Sequence, residues 1–309
     1  MTVLAFETSC DETCAAVVRG GKILSNVISS QIDIHRLYGG VVPEIASRNH
    51  AMAILGVCRE ALDIAKVTLN DITHVASVVE PGLRGAVMIG RVFGEGLAVS
   101  LGIPFIPINH LTAHIASVAI DNDVKTPFMT LLVSGGHTSL YLVDSWNNIK
   151  LLSQTMDDAV GECFDKVAKI LGLEYPGGVK IEQLAKEYND DMITFVNNPT
   201  RKDGSSYSGL KTAVLNYVKA NPDADKAAVA KSFQHEAVMQ LVNRSIESMK
   251  QNGIKTITVC GGVSANGYLR ESMANAVKQI DGAVIFPQMQ YCTDNASMVG
   301  MTATLMNIH

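Results

Sequence analysis

Short apolar runs and longer stretches of helical periodicity alternate along the chain. The short runs predict buried β-strands, and the first three, separated by tight turns, predict a β-hairpin that continues into a meander. The predicted strands are 3–6, 14–18, 22–27, 74–79, 103–109, 128–133, 140–143, 255–260 and 283–287. Apolar residues three and four positions apart predict helices over 51–64, 85–101 and 109–120.

The second half of the chain repeats the order of elements found in the first half. In both halves a buried strand breaks into a turn of small residues, a second strand follows, and helices come after it. The repetition predicts an α/β protein with two duplicated lobes, and the absence of a long Gly/Ser linker predicts that they pack around a cleft. We assign residues 1–109, completed by 290–309, to an N-terminal lobe and residues 110–289 to a C-terminal lobe.

The composition is that of a folded protein with a large core. Of 309 residues, 47% are hydrophobic, and 25 Lys plus Arg stand against 30 Asp plus Glu, which gives a net charge of −5. These values exclude a disordered chain and a basic tail, and the length fits about two domains of roughly 150 residues each. Binding of a nucleic acid would therefore need a local basic patch or a partner protein.

Two segments are candidates for such a patch. Residues 201–255 hold nine Lys plus Arg against five Asp plus Glu, a local positive excess within an acidic chain. Scattered basic residues also serve as solubilising charge, and the sequence leaves both interpretations open. The second candidate consists of His35, Arg36, Arg48 and His50.

Cysteine usage and the amino terminus predict a cytoplasmic protein. The six cysteines are spread widely and form no CxxC pair, unlike a disulfide scaffold. The first residues carry acids instead of a cationic flank and a long apolar run, so we expect no export signal. Arg91, Glu95 and two prolines interrupt the apolar stretch 86–107, so we expect no membrane span.

Three turns of small residues follow predicted strands and are candidate phosphate sites. Free backbone N–H groups at the start of a helix attract phosphate, although a single such turn is as often an ordinary connection. None of the turns matches GxGxxG or GxxxxGKS/T, which disfavours a dinucleotide-binding fold and a Walker loop. The turns are ETSCDET (7–13), VSGGHTS (133–139) and GGVSANG (261–267).

His110 and His114 stand four residues apart, so a helix would place both imidazoles on one face, where they suit a metal ion. The Glu of an HExxH protease is missing between them, which disfavours zincin-type proteolysis. Asp294 is a candidate third ligand, and two imidazoles with one carboxylate suit zinc or iron(II). Two alternatives stay open: the histidine spacing is a coincidence, or Asp294, in competition with Thr293, caps the last helix.

Acidic residues form two further groups. Asp11 and Glu12 follow the first strand. On a helix Asp158, Glu162 and Asp165 would share one face, which points either at a ligand such as a ribose or at water. Asp157 stands beside this second group in the sequence.

Taken together, the motifs resemble the tRNA N6-adenosine threonylcarbamoyltransferase family, formerly described as O-sialoglycoprotein endopeptidases, along essentially the whole chain. The resemblance implies the fold of the actin-like, Hsp70 and sugar-kinase ATPase superfamily, with two RNase H-like lobes around a nucleotide cleft. It also implies transfer of threonylcarbamoyl from threonylcarbamoyl-adenylate to the exocyclic amine of the adenosine 3′ of the anticodon, in tRNAs reading ANN codons. The matching motifs are, in order, ETSCDET, YGGVVPEIASR, NHLTAH, LLVSGGHTSL, GECFDKVAKILGLEYPGG, YSGLKTAV, GGVSAN and YCTDNA.

The resemblance also implies roles for individual residues. The metal ligands become His110, His114 and Asp294, with one iron(II) ion per subunit and zinc as the alternative. Asp11 and Glu12 resemble acidic residues needed for activity, and Asp11 is the candidate acceptor of the amine proton. The implied substrate-binding residues are Leu132, Val133, Ser134, Gly135 and Gly136 at the phosphate and acyl group, Asp165 and Gly178 at the ribose, Glu182, and Asn266 at the adenine.

Partners and departures complete the sequence picture. The resemblance implies tRNA and threonylcarbamoyl-adenylate as substrates, and a bacterial-type assembly with a paralogous lobe-like protein and a small ATPase. The chain departs from the family at Glu80, which replaces a glycine, and in a short loop between Trp146 and Gln154. Lys211 lies in a further family motif. An ATP-hydrolysing switch or sugar kinase and a non-catalytic scaffold stay open as alternatives, and the histidine pair argues against both.

Overall fold

The computed structural model describes residues 1–195 and 206–306. The chain forms two compact units, one from residues 1–124 together with the chain from Pro287 onward, the other from Lys125–Phe286. The sequence-based boundaries, after residues 109 and 289, differ from these. The difference at the first boundary has a physical cause, because the helix after residue 109 packs on the last helix of the first unit.

Nine of the ten strands in the described ranges overlap the ranges predicted from the apolar runs. In chain order they are β1 (Thr2–Glu7), β2 (Glu12–Arg19), β3 (Lys22–Ser30), β4 (His74–Glu80), β5 (Phe105–Asn109), β6 (Phe128–Val133), β7 (Thr138–Ser145), β8 (Asn148–Gln154), β9 (Thr256–Cys260) and β10 (Ala283–Ile285).

The helices fill the segments between these strands. In chain order they are α1 (Ile32–Arg36), α2 (Pro43–Ala65), α3 (Arg84–Leu101), α4 (His110–Ala116), α5 (Val160–Ile170), α6 (Gly177–Ala185), α7 (Tyr207–Ala220), α8 (Lys226–Asn252), α9 (Gly267–Lys278) and α10 (Ala296–Met306). Within the described ranges, no helix combines the length and the apolar character that crossing a membrane requires.

The two units contain sheets of equivalent topology. In the first unit β1, β2 and β3 pair antiparallel, and β4 and β5 extend the sheet in parallel. In the second unit β6, β7 and β8 pair antiparallel, and β9 and β10 extend the sheet in parallel. The strand orders β3-β2-β1-β4-β5 and β8-β7-β6-β9-β10 therefore correspond strand by strand. This correspondence confirms the duplication predicted from the sequence.

Strand β1 is central in the first sheet and is buried along its whole length. Because side chains alternate between the two faces of a strand, Val3 and Ala5 pack with residues of α10, and Leu4 and Phe6 pack with residues of α2. Burial on both faces explains why this strand is a continuous apolar run. The run ends at Glu7, whose side chain is also fully buried.

The core of the second unit forms between its sheet and the helices packed on it. Leu131 and Val133 of β6 belong to one apolar cluster with Phe164 of α5 and Phe233 of α8. The two phenylalanine rings meet edge to face, with centroids 4.9 Å apart. These contacts fix α5 against the sheet, directly beside the turn that follows β6.

Several elements differ from the expectations set by the sequence. Residues 148–154 form the edge strand β8 rather than a loop, and their mostly exposed side chains give no apolar alternation to predict it. Helix α2 begins at Pro43 rather than at residue 51, because proline suits the first position of a helix. Two of the three small-residue turns, 7–13 and 133–139, join antiparallel strands, and only 261–267 leads into a helix, α9.

Candidate metal and catalytic site

Helix α4 begins directly after β5 and carries both histidines of the HxxxH motif. Asn109 starts this helix, since its side-chain oxygen accepts hydrogen bonds from the backbone N–H groups of Leu111 (3.0 Å) and Thr112 (3.3 Å). The cap fixes the rotation of the short helix and thus the face on which the histidines lie. The imidazole rings of His110 and His114 meet edge to face with centroids 4.6 Å apart.

Asp294 lies in the segment before α10, in the same unit as the two histidines. Its Oδ1 is 3.0 Å from Nε2 of His114 and 3.8 Å from Nε2 of His110. The cap of α10 is Asn295, whose Oδ1 accepts a hydrogen bond from the Met298 N–H at 3.1 Å. The alternative in which Asp294 or Thr293 caps this helix is therefore wrong, and the Asp294 carboxylate faces the imidazoles.

These three residues fit a metal ion. Their ligand atoms all lie within 4.8 Å of one another, roughly twice a metal–ligand bond of about 2.0–2.2 Å. His114 is buried, and its Nδ1 has no hydrogen-bond partner among the described residues. An isolated buried imidazole loses its hydrogen bonds to water, so a cation that takes up a nitrogen lone pair compensates this loss.

Two residues that the sequence did not mark out hold His110 in place. Glu7 Oε2 is 3.0 Å from Nδ1 of His110, and Ser9 Oγ is 3.2 Å from the same nitrogen. The Ser9 backbone N–H donates to Oε1 of Glu7. A glutamate at the end of an otherwise apolar buried strand is the signal that could have identified Glu7 from the sequence.

The carboxylates and imidazoles of this cluster shift one another's pKa. Burial alone lowers the pKa of His110, but the charges of Glu7 and Asp294 outweigh burial and raise it to about 9. Burial alone raises the pKa of Asp294, but His110 and His114 outweigh it and lower the pKa to about 2. The cluster therefore keeps the Asp294 carboxylate ionised, as a metal ligand must be.

Asp11 and Glu12, the predicted catalytic acids, lie beside this cluster. Burial, the charge of Asp11 and the charge of Asp294 raise the pKa of Glu12 to about 9, so Glu12 holds a proton at neutral pH. Ser30 Oγ donates to Oε1 of Glu12 at 3.1 Å. His50 contacts the turn that carries these two acids, since its Nε2 lies 3.0 Å from the Cys10 carbonyl oxygen.

The turn after β6 contains the residues predicted to surround the phosphate and acyl group. Leu132 and Val133 are strand residues with fully buried side chains. The Ser134 N–H already donates to the His137 carbonyl oxygen at 2.8 Å, so Gly135 and Gly136 carry the backbone N–H groups of interest for an anion. Gly161 of α5 packs against the turn, and a Cβ there would lie 2.6 Å from the Ser134 oxygen.

The predicted nucleoside contacts cluster around α6. Oδ1 of Asp165 accepts the Gly177 N–H at 2.7 Å, which places the carboxylate beside Gly178 in the first turn of this helix. Oε1 of Glu182 accepts the Gly267 N–H of α9 at 3.1 Å and a bond from Lys186 at 2.8 Å. The structure thus brings Asp165, Gly178 and Glu182 together with the start of α9.

Asn266 has a structural role that the sequence did not predict. Its Oδ1 caps α9 by accepting the Leu269 N–H at 2.9 Å, and its Nδ2 donates to Gln234 Oε1 at 2.9 Å. Its amide group is therefore oriented by the protein itself before any adenine binds.

The acidic residues before and within α5 are held by local contacts. Asp158 precedes the helix and accepts bonds from Lys211 at 2.7 Å and Lys166 at 2.9 Å, and Lys166 also pairs with Glu162. Asp157 accepts bonds from two serines, of which Ser206 is 2.7 Å away. The expectation that Asp158, Glu162 and Asp165 form one helix face is wrong, since Asp158 lies before the helix. Lys211, which the sequence placed in a family motif without a role, forms an ion pair with Asp158.

The structure bears on the two predicted basic patches to different extents. The prediction of the second patch is wrong, because His35 and His50 are fully buried. Of its four residues, only Arg36 and Arg48 are exposed. Each of these arginines pairs with an acid of its own helix. In the first patch, Lys211 is committed to Asp158, and residues 201–202 lie outside the described ranges. Glu80, the departure from the family, lies exposed at the end of β4.

Two equivalent sheets, each with three antiparallel strands extended by two parallel ones, define the actin-like ATPase fold. Solved structures share it. The activator of 2-hydroxyisocaproyl-CoA dehydratase from Clostridium difficile superposes with a TM-score of 0.59 at 13% identity, over 98% of this chain and 94% of the other. HypF from T. kodakarensis gives a TM-score of 0.65 at 15% identity, over 99% of this chain and 48% of the other. Identities this low show the fold alone.

Sequence comparison identifies the family within this fold. The family model of tRNA N6-adenosine threonylcarbamoyltransferase matches residues 22–301. The enzyme of that name from Kosmotoga olearia is 46% identical over 307 residues, 98% of this chain and 92% of the relative. The one from Clostridium perfringens strain SM101 is 46% identical over 309 residues, 97% of this chain and 91% of the relative. The chain belongs to the tRNA N6-adenosine threonylcarbamoyltransferase family and is a transferase that modifies tRNA.

Proposed function

We propose that the chain transfers threonylcarbamoyl from threonylcarbamoyl-adenylate to the exocyclic amine of the adenosine 3′ of the anticodon, in tRNAs reading ANN codons. AMP is the second product. The observation that carries the proposal is the His110, His114 and Asp294 cluster with the acidic pair Asp11 and Glu12 beside it. A set of metal-binding side chains beside acid–base groups suits acyl transfer, whereas a nucleotide switch needs no such histidine pair.

The bond changes set the demands on the protein. The amine nitrogen forms a bond to the carbamoyl carbon, the bond from that carbon to the phosphate oxygen breaks, and the amine gives up one proton. An aromatic amine is a weak nucleophile and the mixed anhydride is a reactive electrophile, so alignment and charge stabilisation contribute most of the rate enhancement.

His110, His114 and Asp294 would hold iron(II), with zinc as the alternative, since both metals accept imidazole and carboxylate ligands. Bound there, the metal supplies a positive charge that orients the donor and polarises its carbonyl group. The chain itself keeps the three ligands together: the capped helix α4 presents the histidines, and Asn295 fixes the segment that carries Asp294.

Asp11 is the proposed acceptor of the amine proton. Its neighbour Glu12 has a pKa raised to about 9 by burial and by the nearby carboxylates, so it is protonated at neutral pH. A protonated Glu12 adds no further negative charge beside Asp11.

The second unit is proposed to bind the adenylate. In this proposal Asp165 and Gly178 contact the ribose, and Glu182 and Asn266 lie on the adenine side. The backbone N–H groups of Gly135 and Gly136 donate hydrogen bonds to the phosphate. Hydrogen bonds that join α6 to Asp165 and, through Glu182, to the start of α9 support this grouping. Leu132 and Val133 anchor the end of β6 before the turn through their buried side chains. The Ser134 hydroxyl accepts a hydrogen bond from the His137 N–H at 3.1 Å and so holds the turn closed.

Further proposals concern the setting of the reaction. From the family, we propose that a paralogous lobe-like protein and a small ATPase work with the chain, and that it acts in the cytoplasm, where its tRNA substrates are found. The alternatives are an ATP-hydrolysing switch and a non-catalytic scaffold, both within the same fold.

Nucleotide products distinguish these functions. The chain, supplied with the preformed adenylate and the partner proteins, is expected to release AMP in proportion to the cognate tRNA added. A tRNA lacking adenosine 3′ of the anticodon is the matched control and should give no tRNA-dependent AMP. A parallel reaction contains ATP and this chain without the partner proteins. Release of ADP there, independent of tRNA, would instead favour the switch, and no turnover of either substrate would favour the scaffold.

A further inference from the structure

We infer that Glu7 is a positioning residue of the metal site: its carboxylate fixes the orientation and the tautomer of His110, so that Nε2 of this imidazole faces the metal. The inference rests on the proposed metal-binding role of His110, His114 and Asp294, and adds a residue outside the ligand set.

The first step is the position of Glu7. It ends strand β1, and its side chain has no exposed surface. A buried carboxylate is costly unless hydrogen bonds and charge satisfy it. Here both oxygens are used, because Oε1 accepts the Ser9 backbone N–H and Oε2 lies 3.0 Å from Nδ1 of His110.

The second step is the direction of the imidazole. With Nδ1 of His110 held at Glu7 and near Ser9 Oγ, Nε2 is the nitrogen on the side of Asp294, 3.8 Å from Oδ1 of that residue. A carboxylate accepts hydrogen bonds and cannot donate one, so Nδ1 carries the hydrogen. The Nε2 lone pair is then the one available to a metal, and such carboxylate–imidazole contacts commonly orient metal-binding histidines.

The third step links this contact to the acidic pair. The bond from the Ser9 N–H to Glu7 fixes the start of the turn that carries Asp11 and Glu12. One buried carboxylate thus sets the position of a metal ligand and of the turn with the proposed base.

Glu7→Gln tests the tautomer argument with almost no change of shape. The amide oxygen must face the Ser9 N–H, since the amide nitrogen would place two donors together. The amide NH2 then faces Nδ1 of His110 and donates to it, which forces the hydrogen of a neutral imidazole onto Nε2. Nε2, the nitrogen proposed to bind the metal, then carries the hydrogen and has no free lone pair, as happens in catalytic triads whose aspartate is changed to asparagine.

The probes are Co²⁺ and Zn²⁺ alone, added to the metal-free full-length chain. Dissociation constants come from Co²⁺ absorption spectra and chelator competition, and thermal melting of each metal-free variant reports folding. Glu7→Gln is expected to weaken metal binding about 10–100-fold while remaining folded. Glu95→Gln, a partly exposed glutamate of α3 that pairs with Arg91, is the matched control and should bind as the wild type does.

The outcomes separate this inference from the proposed metal site. Wild-type binding with a Glu7→Gln affinity within about twofold of it would overturn the role of Glu7 alone. Failure of the wild type to bind either metal would overturn the metal site as well.

A second measurement applies if Glu7→Gln does not fold. Nitrogen-15 NMR of the Zn²⁺-loaded wild type, with His110→Asn to assign the signals, reports which nitrogen of His110 carries hydrogen. A protonated Nδ1 with Nε2 on the metal supports the inference, and Nδ1 on the metal overturns it.

Discussion

Replacing Gly161 with alanine tests how the turn after β6 is held. The added Cβ would lie 2.6 Å from the Ser134 carbonyl oxygen and 2.9 Å from the backbone nitrogen and Cα of Gly135. Ordinary contacts begin near 3.4 Å, so these backbone atoms must move by several tenths of an ångström or more. No flexible side chain is available to absorb the change.

The magnitude follows from this displacement. Overpacking of a tight site costs about 1–3 kcal/mol. In a protein of 309 residues that corresponds to a fall in Tm of roughly 1.5–5 °C. Because the turn carries the Gly135 and Gly136 N–H groups proposed to bind phosphate, a shift approaching 1 Å is expected to lower kcat/KM by up to about 100-fold.

The assay combines thermal melting with threonylcarbamoyl transfer at varied adenylate concentration. Gly56→Ala, in the middle of α2 with open space at its Cβ position, is the control and should be neutral or stabilising by up to about 1 kcal/mol. A Gly161→Ala variant with the melting temperature and the donor KM of the wild type would refute the reasoning.

Three further predictions concern charge, capping and thiols. Glu12→Gln should raise Tm over the wild type, and more at pH 8 than at pH 5. The pKa of Glu12 is about 9 in the folded chain and 4.5 in the unfolded chain, so between these pH values the unfolded chain releases a proton that the folded chain keeps, and the stability of the wild type falls as the pH rises. A Tm difference that shrinks as the pH rises would contradict this. Asn295→Ala should cost about 0.5–2 kcal/mol in chemical unfolding, and should weaken Zn²⁺ binding, because Asn295 also donates to the Thr293 carbonyl at 2.8 Å; an unchanged Zn²⁺ affinity would count against the second effect. Burial raises the pKa of Cys163 to about 12 and of Cys58 to about 11, so mass spectrometry after alkylation of the native protein at pH 8 should find both unmodified, and rapid labelling of either would contradict their burial.

The fold was largely predictable because its central strands are buried on both faces. A strand such as β1 has to be apolar throughout, and that requirement is visible in any short run of the sequence. Edge strand β8 was missed because exposed positions impose no pattern. The predicted lobe boundary after residue 109 was misplaced because α4 packs on α10. These helices lie nearly two hundred residues apart in sequence, so their contact has no local signal.

The candidate site was only partly predictable for a related reason. Spacing alone placed His110 and His114 on one helix face, but the role of Asp294 depended on Asn295 taking the helix cap. His35 and His50 looked like surface charges and are buried, because burial depends on the whole sheet and not on neighbouring residues. Glu7 was missed because its contact is with His110, a residue 103 positions away.

The central claim is that this chain moves threonylcarbamoyl to tRNA through a site built on His110. The most direct measurement is transfer of labelled threonylcarbamoyl from the preformed adenylate to cognate tRNA, with the partner proteins present, by the wild type and by His110→Ala. We expect transfer by the wild type and its loss in a folded His110→Ala protein. Equal transfer by both proteins would contradict the role of the metal site, and no transfer by the wild type, where a known relative is active, would contradict the assigned reaction.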